Sequence, residues 1–136
     1  MQFFECKFRI PFHEVDQAGI MFYAHLFVHA HDVYEQFMKT IGYGLDAILA
    51  DGRYLIPLVH AQADFREPMR HAAEITARLW LEQVNDSSFT VGYDFIAASG
   101  RLYAHAQTVH CCLDKSSGRK RSIPEDLRER LLPYVI

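Results

Sequence analysis

From Phe4 to Phe12 every second residue is apolar (Phe4, Cys6, Phe8, Ile10 and Phe12), while Glu5, Lys7 and Arg9 fall between them. Side chains alternate across a strand, so this segment predicts a strand with one buried face. Past a glycine-containing turn the period lengthens: Leu26, Ala30, Val33, Phe37 and Ile41 recur at spacings of three and four, and Phe27, Tyr34 and Met38 widen the stripe. At 3.6 residues per turn this is a helix of about four turns with a broad apolar face. Gly42 and Gly44 stop it, and Leu45 to Leu49 predicts one short helical turn before Asp51-Gly52.

After Tyr54 the period returns to two. Leu55, Pro57, Val59, Ala61, Ala63 and Phe65 take one face of a strand, and Ile56, Leu58, His60, Gln62, Asp64 and Arg66 take the other. Pro57 has no N–H to give a neighbouring strand, which places it at a strand start or a sheet edge. Three more alternating segments follow, Ile75 to Leu81, Phe89 to Phe95 and Leu102 to His110, with turn residues at Glu67-Pro68, Asn85-Asp86-Ser87-Ser88 and Ser99-Gly100. Such connections predict antiparallel hairpins. Lys115 to Ser122 is a polar loop, and Pro124 opens a short helix from Glu125 to Leu132.

These elements predict an α+β fold: a five-stranded antiparallel sheet wrapped around one long central helix, with a short C-terminal helix. The helix's apolar stripe is too wide for one neighbouring helix and needs a sheet face to cover it. On the sheet's other face Tyr103, His105, Gln107, Val109, Cys111 and Leu113 alternate polar and apolar, which suits partial cover by a partner subunit.

Composition narrows the class. The 136 residues fit one domain spanning 1–136, and 50% hydrophobic with 23% charged residues excludes a disordered chain. A formal charge of -3, with no basic run longer than Arg119-Lys120-Arg121, argues against nucleic acid as a partner. The N-terminus lacks a secretory pattern and no apolar run approaches a membrane span, so a soluble cytoplasmic protein with no membrane partner is expected. Cys6, Cys111 and Cys112 show no metal-like spacing and suit free thiols in a reduced compartment.

The candidate chemistry lies in His13 to His25, where Asp16 occupies a turn between the first strand and the helix. The first N–H groups of a helix have no partner within it and favour negative charge. A carboxylate beside them can attack or activate water while the helix end polarises a carbonyl. A turn aspartate also serves as a helix cap or a turn brace, and the residues by themselves leave both roles open.

The order of elements, together with Asp16-Gln17-Ala18-Gly19-Ile20-Met21-Phe22-Tyr23, resembles the hotdog-fold acyl-CoA thioesterases, in the branch of 4-hydroxybenzoyl-CoA thioesterase. Within that branch, Leu55 to Ala61, Asp64-Phe65 and Ala104 to His110 look most like the 1,4-dihydroxy-2-naphthoyl-CoA thioesterases of quinone biosynthesis. The resemblance implies hydrolysis of an aromatic acyl-CoA, with CoA as part of the substrate and no separate cofactor. It implies Asp16 as nucleophile or general base, the backbone N–H of Tyr23 as oxyanion donor, and Gly19 letting the chain turn close to the substrate. It also implies a homodimer that forms the active site, and a homotetramer. Short- or medium-chain aliphatic thioesters, or acyl-CoA binding without catalysis, are the alternatives.

His13, His25 and His60 are the candidate substrate contacts: His13 and His25 flank the Asp16 turn, and in the family the strand carrying His60 comes from the neighbouring subunit to line the acyl site. A solvated or interface histidine is the plain alternative for each. His25 and His29 stand i, i+4, but the zincin glutamate and a third ligand are missing, so no metal is expected. The turn Val84 to Ser88 carries no Lys or Arg where the founding aryl thioesterase has a basic cluster for CoA phosphates. Arg66, Arg70, Arg101 and the Lys115 to Arg121 loop are the candidate cations instead.

Overall fold

The computed structural model describes residues 2–136. Its main elements are β1 (Phe4–Arg9), α1 (His25–Thr40), α2 (Leu45–Asp51), β2 (Tyr54–Leu55), β3 (Leu58–Phe65), β4 (Glu74–Val84), β5 (Ser88–Ala97), β6 (Leu102–Cys111), β7 (Leu113–Asp114) and α3 (Glu125–Leu131). Five strands make one antiparallel sheet in the order β1-β4-β5-β6-β3, and β2 pairs with β7 in a separate ribbon.

The alternation predicts the faces because cross-strand partners share them. Leu79, Tyr93 and Ala106 stand in one register row, all fully buried, and α1 lays Leu26, Ala30, Val33, Phe37 and Met38 into the same core. The ring contacts Phe4–Phe37 at 5.8 Å and Tyr34–Phe89 at 6.4 Å tie the helix to the sheet. At 16 residues α1 is of ordinary length rather than notably long.

Several boundaries differ from the sequence expectation. The first strand ends at Arg9, and Phe12–Glu14 forms a 3-10 turn with Phe12 74% exposed. Pro11 is the cause, since it removes the N–H that would extend the ladder. The strand expected from Tyr54 onward divides at Ile56-Pro57, and a register irregularity follows between Leu58 and His60. Beyond it Ala61, Ala63 and Phe65 face the core side opposite Thr108, Ala106 and Ala104, and β3 is a sheet edge, as Pro57 suggested. β4 and β5 each extend beyond the predicted segments, and α2 makes two turns rather than one.

One polar run crosses the core. Tyr93 Oη lies 2.8 Å from Thr108 Oγ1, which lies 2.9 Å from His110 Nε2, and His110 stacks on Tyr34 at 4.0 Å. Burial, with His31 adding to it, pushes His110 down to about 3, so the ring is neutral. The neutral ring, the Thr108 hydroxyl and the Tyr93 hydroxyl are thus linked by two hydrogen bonds without a buried charge.

Candidate active site

The Asp16 turn is sewn to the rest of the fold by backbone pairing. Val15 bridges Met21, Ile20 bridges Arg70, Met21 N–H donates to Met69 O at 2.8 Å, and His71 N–H donates to Gly19 O at 3.0 Å. Gly19 sits at φ +77 with open space where a Cβ would stand. The left-handed backbone, not crowding within the chain, therefore selects glycine there.

Asp16 is exposed, yet half of its carboxylate is held. Oδ1 accepts from Ala18 N–H at 2.8 Å and Ile20 N–H at 3.2 Å, while Oδ2 has no partner among the described residues. Of the two structural roles left open by the sequence, Asp16 performs turn bracing and does not cap α1. Ala24 precedes α1 in helical conformation with no side-chain cap.

The bonds at the start of α1 run three residues back: His25 N–H to Phe22 O, Leu26 N–H to Tyr23 O and Phe27 N–H to Ala24 O. Phe22 N–H is taken by Glu14 O at 2.9 Å. Among the described residues, the N–H groups of Tyr23 and Ala24 donate to nothing. These are the orphan donors that give a helix start its affinity for anions. The Tyr23 ring itself is 62% exposed.

Beside them runs a groove of about 350 Å³ lined by Ile20, Met21, Tyr23, Phe65, Arg66, Glu67, Pro68 and Met69. Its lining is mainly apolar, with Arg66 and Glu67 as the charged members.

Of the candidate substrate contacts, His13 is exposed with Nε2 4.0 Å from Glu14 Oε2, and His25 opens α1 half-buried with its ring 6.2 Å from Phe22. His60 lies on the edge strand with Nε2 2.9 Å from Gln62 Oε1, its register row running to Val109 on the outer sheet face. None of the three lines the groove. His31 pairs with Glu35 at 3.0 Å on the exposed side of α1. Burial raises the thiols of Cys6 and Cys112, with Asp32 adding to Cys6, so neither is a ready thiolate nucleophile.

Sequence reasoning missed the pair that braces the turn. Glu14 is only 7% exposed, and its Oε1 lies 2.6 Å from His29 Nε2, whose ring stacks on Phe8 at 4.1 Å. Glu14 thus grips α1 through its side chain and Phe22 through its carbonyl, which sets the spacing between Asp16 and the helix start. His29, three residues after Leu26 and four before Val33, falls within the apolar stripe, and that placement was the available signal.

Residues 10–131 match the family described as the Thioesterase-like superfamily. The 1,4-dihydroxy-2-naphthoyl-CoA hydrolase of Trichodesmium erythraeum is 27% identical over 127 residues, covering 92% of each chain. The crystal structure of a 1,4-dihydroxy-2-naphthoyl-CoA thioesterase from Synechocystis superposes with a TM-score of 0.89 at 25% identity over 96% of each chain. A Staphylococcus aureus protein solved in complex with CoA shares the fold, with a TM-score of 0.92 at 14% identity over 98% of this chain and 84% of that one.

Proposed function

Because the chain belongs to the thioesterase-like superfamily, we propose that it is an acyl-CoA thioesterase hydrolysing an aromatic acyl-CoA to the free acid and CoA. The names of its relatives make 1,4-dihydroxy-2-naphthoyl-CoA the first substrate to test. One observation carries the reading. A carboxylate anchored through Oδ1 keeps Oδ2 free, beside an uncapped helix start and an apolar groove.

In this reading Asp16 either attacks the thioester carbon, giving a mixed anhydride that water then opens, or takes a proton from the water that attacks. Both routes place negative charge on the carbonyl oxygen, and Tyr23 N–H donates to it, aided by the helix dipole. The CoA thiolate leaves readily, so no strong acid and no cofactor are required.

The site is open to solvent in a single chain. Val59 and Phe65 on the free edge of β3 are 58% and 47% exposed, and unpaired edges of this kind invite a second strand. A second copy, joined edge to edge through β3, would cover the turn and complete the groove, and two such dimers would form a tetramer. Thiol release from aryl and aliphatic acyl-CoA thioesters tests the function. Preference for aryl thioesters is expected. Absence of turnover on all of them overturns the hydrolase, and preference for long aliphatic chains removes the naphthoyl substrate. Sedimentation as a monomer at assay concentration overturns the shared site.

A further inference from the structure

CoA carries its negative charge on a diphosphate and a 3′-phosphate, and a chain of net charge -3 needs a local cationic patch to hold it. Most arginines are already engaged. Arg9 pairs with Glu74, Arg53 with Asp51, Arg78 with Glu5, Arg101 with Glu67, Arg121 with Asp114 and Arg130 with Asp126, while Arg128 donates to the carbonyls of Asn85 and Asp86. Among the described residues, the side chains of Arg66, Arg70 and Arg119 have no such partner.

Two of these three lie beside the candidate active site. Arg66 lines the groove that contains Ile20 and Tyr23, and Arg70 lines an adjoining cavity of about 450 Å³ with Arg101 and Tyr103. Glu67 and Pro68 belong to both cavities and form the ridge between them. Arg70 also bridges Ile20 through its backbone, and Ile20 N–H holds Asp16. The ridge therefore carries two free guanidinium groups plus Arg101, whose charge is offset by Glu67 at 3.2 Å. Arg119 lies on the loop beside the β2–β7 ribbon, with Lys120 opposite Leu113.

We infer that Arg66 and Arg70 form the phosphate-binding site for the CoA end of the substrate, with the acyl-pantetheine arm lying in the apolar groove between them and Asp16. The inference rests on the hydrolase reading for the identity of its ligand. Both arginines stand on the connection between β3 and β4, Arg66 directly after the last residue of β3. Guanidinium groups suit this task because they bind phosphate oxygens in bidentate geometry.

The test compares one aryl acyl group carried on CoA, on dephospho-CoA and on pantetheine, using wild type, Arg66→Ala/Arg70→Ala, and Arg119→Ala as control. The double variant is expected to lower the kcat/KM ratio of CoA over pantetheine thioester by about tenfold, the scale of one lost charged contact, chiefly through KM. The dephospho-CoA arm assigns the loss: if the effect persists there, the arginines hold the diphosphate, and if it vanishes they hold the 3′-phosphate. An unchanged ratio, or a ratio that falls instead in Arg119→Ala, overturns the site. Calorimetry with CoA separates this from the function itself. Wild type that binds CoA through the two arginines but hydrolyses no thioester supports the site and overturns the hydrolase. Normal hydrolysis and CoA binding in the double variant do the reverse.

Discussion

At its C-terminal end α1 leaves little unsatisfied. Gly42, at φ +87, donates to Lys39 O at 3.0 Å, Tyr43 N–H donates to Met38 O at 2.7 Å, and Arg130 Nη1 reaches Ile41 O at 2.7 Å from α3. This is the Schellman closure with a cation added to complement the dipole. At the N-terminal end there is no capping side chain, no acidic residue in the first turn, and no partner for Tyr23 N–H among the described residues. One helix thus has a closed end that serves stability and an open end whose unsatisfied donors are available to a ligand. Glu14 and His29 hold the open end in place without filling it.

Variants sharpen this contrast, and the largest effect belongs at the open end. Asp16→Asn keeps an oxygen for Ala18 and Ile20 but loses the charge. It is expected to lower kcat by about 10²–10⁴-fold while the melting temperature stays close to wild type. A loss below tenfold in a steady-state thiol-release assay would remove Asp16 from the chemistry.

Next comes the packed half, through His110 under Tyr34. Its folded value of about 3 lies below the ordinary 6.5, so the unfolded chain binds the extra proton between them. Stability should therefore be full above about 6.5 and fall by up to about 1.4 kcal/mol per pH unit below it, toward 3. Urea titrations at two pH values should show a shallower dependence in His110→Phe, and equal slopes would disprove the buried neutral ring.

At the brace, Glu14→Ala leaves His29 without its partner and is expected to cost about 1–3 kcal/mol in chemical denaturation. Glu14→Gln should cost less, because it keeps an acceptor. At the closed end Gly42→Ala forces a side chain into left-handed backbone and against the Arg130 guanidinium, an expected loss of about 1–2 kcal/mol. Its kcat per folded molecule should match wild type, and a large drop would mean that the two ends are coupled. Smallest of all, Tyr23→Phe keeps the backbone donor and should change kcat by about twofold at most. Losses from Tyr23→Phe comparable to those of Asp16→Asn would shift the role from the Tyr23 backbone to its hydroxyl.

Periodicity made much of this protein legible in its sequence. The stripe from Leu26 to Ile41 and the alternation in β1, β4, β5 and β6 report local geometry: a strand repeats every two residues and a helix every 3.6. Pro57 likewise announced a strand start or an edge, since a missing donor is a local property. The Asp16-to-Tyr23 spacing was visible for the same reason, being a turn followed by a helix start within one short segment. The end of β1 at Arg9 was missed because Phe12 continues the alternation that Pro11 interrupts, and hydrophobicity alone does not register a lost N–H.

What the sequence determined by itself is therefore the main helix, most of the sheet strands with their faces, and the carboxylate turn, all legible from near neighbours along the chain. Tertiary structure decided the rest. Only packing brought Glu14 to His29, laid Arg66 and Arg70 beside the groove and placed α3 over the end of α1. These contacts join residues far apart in the chain, and no period in the sequence encodes the distance between them.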